Sequence, residues 1–410
     1  MQYPSTDFLI IGGGILGAAT AWSLARQAPA GTGIRLVEAG MLASATTSQA
    51  AALLTRVRPD PAMAALVAET FAAVEQLDSI LDVPLPLRQV GSLHLATDAP
   101  GQQYLRDTAR TASNLGVVSE PLMQEDVRRH APWLSIKGDA EALFVPADGY
   151  MDPVQLAQGY IKAARQAGVE VVQHCRVHAL MRQQDRIVGV ETSSGPMSAE
   201  TVICCAGPWA IQMLAQQGIH LAMAPVRSHY WITEADQALF PAESPMVILP
   251  DANAYARPEV GGLLFGLRDR QAVYGDPACL PEDIHGYLFN RDPDGLECLE
   301  SSWQDLANVF PALERLGIAH YMTGVSSYTP DGKPLLGDVD VQGLLVATGC
   351  SGGGVALSGG IGRLLAEMAL GQTLFCDASS FSTRRFGVVD PFNEAFRMRC
   401  ALARSQKRSG

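Results

Sequence analysis

Four glycines fall within six positions near the start of the chain, in Phe8-Leu-Ile-Ile-Gly-Gly-Gly-Ile-Leu-Gly17. Each costs backbone entropy, so their clustering marks a place where a Cβ would obstruct something. The spacing Gly12-x-Gly14-x-x-Gly17, with a carboxylate further on at Glu38, suits the capture of a pyrophosphate. Gly12 permits a sharp turn, Gly14 lets backbone approach a phosphate, and Gly17 lets a helix pack tightly on a strand. Glu38 lies 21 positions past Gly17, where a carboxylate accepts from ribose hydroxyls and disfavours a 2′-phosphate. The chemistry predicted is binding of FAD or NAD rather than NADP.

The elements that must hold these residues surround them. Residues 8–11 form a short continuous apolar run, consistent with a strand buried on both faces. Residues 15–28 are alanine-rich, carry Leu16, Thr20, Leu24 and Ala28 at helical spacing, and have no glycine after Gly17. A helix there would present its N-terminal N–H groups and dipole to an anion. Gly31-Thr-Gly33 gives a turn, and Ile34-Arg-Leu-Val-Glu38 a second strand ending in the acid. Residues 39–54 are a loop of small and hydroxyl-bearing side chains that runs into an alanine stretch, able to lie against a bulky flat ligand.

Three later stretches have related character. Gly149-Tyr-Met-Asp-Pro153 precedes a helix-like segment and then alternating strands, ending in Thr201-Val-Ile-Cys-Cys-Ala-Gly-Pro-Trp209. Thr329-Pro-Asp-Gly-Lys-Pro-Leu-Leu-Gly337 is a turn, and residues 343–370 read again as strand, glycine-rich turn and helix. With these motifs the sequence resembles the D-amino-acid-oxidase-type FAD-dependent oxidoreductases, the group of glycine oxidase and the sarcosine and opine dehydrogenase β subunits. The likeness spans nearly the whole chain. It implies FAD, held along Gly12, Gly14, Ile15, Leu16 and Gly17, at Glu38 and Ala39, and along the loop Thr46, Thr47, Ser48, Ala50, Ala51 and Ala52. Val177 is implied at the adenine, with Ala206, Gly207 and Trp209 in the second nucleotide-binding segment. Gly349, Cys350, Ser351, Gly352, Gly353, Gly354 and Val355 would face the flavin, where a helix dipole stabilises negative charge.

The resemblance also implies dehydrogenation of a carbon–nitrogen bond, the cofactor carrying the difficult step while the protein orients and desolvates. Tyr255, in Asn253-Ala-Tyr255-Ala-Arg257-Pro258, is the expected substrate-facing hydroxyl, Leu53 and Leu54 an apolar wall, and Tyr328 and Ser327 further contacts. Three departures stand out. Ser326 occupies the position of a carboxylate-clamping arginine, and a hydroxyl cannot replace a bidentate guanidinium. Arg56, Arg58, Arg257 and Arg268 are candidates for that task. Gly324 stands where monomeric sarcosine oxidases carry the cysteine that links the flavin, so non-covalent FAD is expected. Leu264 stands where those enzymes carry a lysine that promotes reaction with oxygen, which favours a dehydrogenase.

Bulk properties narrow the rest. A formal net charge of -12 over 410 residues, with cations scattered until the tail, argues against nucleic-acid binding. None of the eight cysteines pairs at C-x-x-C spacing, and no metal site is expected. Too few residues precede Asp7 for a leader, and no apolar stretch spans a bilayer, so a cytoplasmic protein is expected. The fold expected is α/β: a discontinuous Rossmann-like FAD domain (1–85, 140–215, 321–383) with an α+β substrate domain on a mostly antiparallel sheet (86–139, 216–320). A tail, 384–410, mixes aromatic and basic residues at helical spacing, either packing on its own body or docking another subunit. The expected partners are therefore a small amine or amino acid, and other subunits of a multi-subunit dehydrogenase or copies of the chain. Two other functions remain open: a 2-hydroxy acid dehydrogenase, which would need His229 or His94 as base, and a flavin electron-relay subunit.

Overall fold

The computed structural model describes residues 5–136 and 138–407. The apolar run after Asp7 becomes the strand Ser5–Ile11, in the interior of an eight-stranded sheet. It pairs in parallel with Ile34–Val37 on one side and Gly195–Cys204 on the other. Glu170–Val172 and Leu344–Thr348 extend this parallel core, and Leu335–Asp338 closes one edge antiparallel. A hairpin of Val177–Gln183 and Arg186–Thr192 hangs from Gly195–Cys204. The strand, glycine turn, helix and second strand expected for residues 8–38 all form, the helix spanning Ile15–Gln27.

Helices Pro61–Ile80, Pro153–Gln166 and Gly354–Ala369 join Ile15–Gln27 in one apolar cluster against this sheet. Their approach is close because the contact residues are small. A Cβ on Gly360 would lie 2.3 Å from Leu66 Cα, and one on Gly362 2.6 Å from Ala19 O. These glycines at the end of the glycine-rich stretch thus serve helix packing, not a ligand.

The second sheet also has eight strands, in the order Ile318–Tyr328, Ala224–Thr233, Gly262–Leu267, Ala254–Glu259, Met246–Leu249, Ser92–Ala96, Glu141–Val145, Glu120–Leu122. All neighbours are antiparallel except Met246–Leu249 with Ser92–Ala96. One strand assigned from sequence to the dinucleotide domain, and residues 321–328 of another, lie here instead. Glu141–Val145 pairs with Ser92–Ala96, and Ile318–Tyr328 runs along Ala224–Thr233 for its whole length. Sequence order misleads at both points because the chain enters the second sheet before its turn signals appear. Val247 and Leu249 face a core that includes Leu306 and Val309 of helix Leu296–Val309, while Met246 and Ile248 face Leu53 and Tyr150. That alternation is the period of two that a strand requires.

The tail forms the helix Glu394–Ser405, capped by Asn393 Oδ1 accepting from Phe396 N at 3.1 Å. Phe396, Cys400 and Ala401 are buried against Ala224, Val226 and Tyr328. The helical spacing read from the tail is therefore used on the chain's own body.

Candidate active site

A cavity of about 710 Å³ runs from the glycine turn to the inner face of the second sheet. At its first end Gly12 has φ +101°, and a Cβ there would lie 2.7 Å from Cys205 O. A Cβ on Gly17 would lie 1.9 Å from Gly12 O, so helix and strand meet at a distance only glycine allows. Glu38 fastens the turn: Gly13 N donates to Oε2 at 2.6 Å and Gly40 N to Oε1 at 2.8 Å. Ile15 N, at the start of the helix, donates to Thr47 Oγ1 at 3.0 Å, and Thr46 Oγ1 donates to Val325 O at 2.9 Å. The hydroxyl loop thereby bridges the glycine turn and the second sheet.

Most residues singled out from the sequence reach this cavity. Gly12, Gly14, Ile15, Leu16, Glu38, Ala39 and Val177 line its first end, and Ala206, Gly207 and Trp209 a flank. Thr46, Thr47, Ala50, Ala51, Ala52 and Leu53 follow its length. Gly349, Cys350, Ser351, Gly352, Gly354 and Val355 face them, with Tyr255, Gly324, Ser326, Ser327 and Tyr328 at the second sheet.

Five stand off the wall, each for a local reason: Leu54, expected beside Leu53, is fully buried in the core formed by the helices and the first sheet. Gly17 lies in the helix–strand contact. Ser48 Oγ donates back to Ser44 O and Ala45 O, both at 2.8 Å, and closes its own loop. Gly353 O accepts from Leu357 N at 3.0 Å and starts a helix. Arg257, expected near the substrate, donates from Nε to Ala51 O at 2.7 Å and pairs with Glu259. Those bonds hold its guanidinium against the loop at Ala51 rather than in the cavity.

Of the other arginines considered, Arg268 lines the cavity and Arg56 and Arg58 do not. Two cations that sequence reasoning missed join Arg268: Arg404 and Lys407, from the tail. Arg404 Nη2 donates to Leu267 O at 2.9 Å, Nε lies 3.9 Å from Asp269, and Lys407 Nζ donates to Ser351 O at 3.3 Å. No local signal marks them, since residues three apart on a basic helix are ordinary surface residues unless the docking of that helix is known. The absence of a lysine at Leu264 therefore does not leave the cavity without positive charge; the tail brings it.

Burial sets the protonation of the groups here. It raises the Tyr255 phenol, keeping it a donor, and pushes the Cys350 thiol up to about 12. It lowers the Arg268 guanidinium to about 10, with Arg404 adding to the effect. His94 lies away from the cavity, beside Ser92. His229 touches the cavity, but burial, Arg227 and Arg404 hold its imidazole well below the usual range, which makes it a weak base. His229, Asp269 and Cys298 have ligand atoms within 4.8 Å of one another. Arg227 pairs with Asp269 and Asp292 at that spot and burial pushes the Cys298 thiol up to about 12, so the cluster suits no cation.

Residues 7–368 match the family described as DAO, FAD dependent oxidoreductase. The chain belongs to this family. It is 28% identical over 387 residues to 4-methylaminobutanoate oxidase (formaldehyde-forming) of Paenarthrobacter nicotinovorans, covering 92% of this chain and 45% of that protein. It is 28% identical to human mitochondrial sarcosine dehydrogenase, covering 93% of this chain and 42% of the other. Glycine oxidase of Geobacillus kaustophilus is 25% identical over 93% of this chain and 98% of its own. A crystal structure of that glycine oxidase superimposes with a TM-score of 0.77 over 94% of this chain and 99% of the other. The chain thus spans less than half the length of the first two relatives and nearly all of the third.

The residues present fit the flavin nucleotide that the family name implies. Gly12 and Gly14 of the glycine turn line the cavity, and the cavity has the size of a small-molecule site. The start of helix Gly354–Ala369 faces the same space through Gly354 and Val355. Gly324, with no thiol, lies against Gln49, whose Oε1 accepts from Val325 N at 3.4 Å.

Proposed function

We propose that this chain is an FAD-dependent dehydrogenase or oxidase that acts on the carbon–nitrogen bond of an amino acid or secondary amine. The observation that carries the reading is the continuity of one cavity from the glycine turn to Tyr255 and Tyr328 on the second sheet. FAD, when bound, supplies the acceptor for the hydride that leaves the carbon next to nitrogen. The chain's residues do the rest. The Tyr255 hydroxyl, kept protonated by burial, donates to a polar group of the substrate. Tyr328 holds Arg404 in place, and Leu53 with Ala50 supplies an apolar wall that excludes water. The imine that results is released to water and hydrolyses.

Support for carbon–nitrogen over carbon–oxygen chemistry comes from the imidazoles. A hydroxy acid needs a base for its hydroxyl proton, whereas an amine can react in its neutral form. His229 is a weak base, and His94 lies elsewhere. We further read the flavin as non-covalent, since Gly324 and a protonated Cys350 offer no nucleophile. The expected substrates are sarcosine-like, D-amino-acid-like or opine-like. The expected setting is cytoplasmic, alone or with other subunits; no helix among the described residues is long and apolar enough to cross a membrane.

The test is anaerobic mixing of the purified flavoprotein with a panel of N-alkyl and D-amino acids. Loss of the yellow colour with at least one of them is expected. Colour that survives every amine but is lost with 2-hydroxy acids, or with no small molecule at all, would contradict the reading. Acid precipitation should leave the yellow colour in solution.

A further inference from the structure

A row of three residues crosses the second sheet under the cavity. Tyr230 of Ala224–Thr233 stands opposite Gly266 of Gly262–Leu267, and Gly266 opposite Tyr255 of Ala254–Glu259. Residues paired directly across antiparallel strands share one face of the sheet. The position between the two tyrosines is bare, yet its space is filled. A Cβ on Gly266 would lie 2.1 Å from Tyr255 Cζ and 2.3 Å from its hydroxyl oxygen. The Tyr255 ring therefore lies across the neighbouring strand and carries its hydroxyl toward Tyr230. A glycine inside a strand weakens it and marks close approach by another group, and here that group is the ring. Other tyrosines of the chain use their hydroxyls inside the protein: Tyr150 donates to Ala242 O at 3.4 Å, Tyr160 lies 3.3 Å from Ser358 Oγ, and Tyr321 lies 3.1 Å from His229 Nδ1. Tyr230 and Tyr255 stand instead at the cavity wall.

We infer that Tyr230 is a second residue that contacts the substrate, and that Gly266 is the positioning residue that lets Tyr255 lie beside it. The inference rests on the function proposed above and adds to it the residues that fix how the amine is held. Its polar end meets two phenol donors from adjoining positions of one sheet face, not one. Burial, and then the neighbouring Tyr255, push the Tyr230 phenol up to about 12, and burial raises Tyr255 as well, so both carry a proton to donate at neutral pH. Gly266 acts only through Tyr255. A methyl group there would lift the ring off the sheet into the space the substrate needs, and would move the hydroxyl away from Tyr230. The pair is set by strand register, a rigid support, and not by a loop.

The experiment measures the anaerobic rate of flavin bleaching against the concentration of the amine that reduces the holoenzyme fastest, in the unaltered protein and four variants. Tyr230→Phe and Tyr255→Phe each remove one oxygen and leave the ring, and each should raise the half-saturating concentration roughly fivefold to tenfold. Gly266→Ala should raise it by at least about tenfold while FAD affinity, read by titration of the apoprotein, stays within about twofold. Adding Tyr255→Phe to Gly266→Ala should change it by less than about twofold, because the hydroxyl has already left its place. No effect of Tyr230→Phe, a full effect of Tyr255→Phe on top of Gly266→Ala, or FAD affinity that falls in step would each overturn the inference and leave the proposed function standing. If Gly266→Ala does not fold, the two phenylalanine variants decide, and both must weaken the amine. Bleaching by 2-hydroxy acids alone, weakened by both phenylalanine variants, would sink the proposed function and leave the tyrosine pair standing. A flavin that no small molecule bleaches would overturn both.

Discussion

At the scale of single residues, burial does more than contact to set chemistry in this chain. Tyr255 and Cys350 are kept protonated by it, which makes one a donor and the other inert. Asp148 and His94 make the same point away from the cavity. Ser92 Oγ donates to Asp148 Oδ2 at 2.6 Å and lies 3.0 Å from His94 Nε2. Burial pushes the Asp148 carboxyl from 3.8 up to about 6 and the His94 imidazole from 6.5 down to about 4. The folded carboxyl keeps its proton to higher pH than the unfolded chain does, so its stabilisation is full below pH 3.8 and is lost as pH rises through 6. The folded imidazole sheds its proton early, so its stabilisation is present above pH 6.5 and lost as pH falls through 4. Asp148→Asn removes the first effect and spares the second. Relative to the unaltered protein, its unfolding free energy should rise by up to about 3 kcal/mol between pH 4 and 7, measured by urea titration. A difference that stays flat across that range would show the carboxyl to be ordinary.

At the scale of elements, the sequence disclosed what depends on neighbours in the chain and hid what depends on docking. The run before Gly12, the helix after Gly14 and the strand before Glu38 were legible because apolar period and turn chemistry are local. The strand Glu141–Val145 was hidden because its partner, Ser92–Ala96, is some fifty residues earlier, and nothing local says which sheet it joins. The glycines at 359–362 were legible as a group but not in purpose. Gly360 and Gly362 make contact between helices, where a methyl group has no room. Gly360→Ala should therefore lower stability by roughly 1–3 kcal/mol, seen as an earlier thermal transition, with flavin affinity following only through folding. An unchanged transition would mean that the helices can separate at no cost.

For the whole molecule, two sheets of different kind enclose one cavity, and the catalytic proposal depends on both. At the glycine-turn end the residues that line the cavity were legible, since strand, turn and helix signals there are local. The substrate end was not. Ser326 announced a missing guanidinium, but the cations that line that end, Arg268 and the tail's Arg404 and Lys407, are far apart in sequence and converge only in the fold. Arg257, next to Tyr255 in sequence, proved to be bound to Ala51 O and Glu259 instead. A structure of the protein with FAD and a bound amine tests the central claim most directly. The account predicts the flavin ring between residues 46–52 and 349–355, with the amine held between that ring and Tyr255. A ring lying outside this cavity, or an amine seated away from Tyr255, would contradict it.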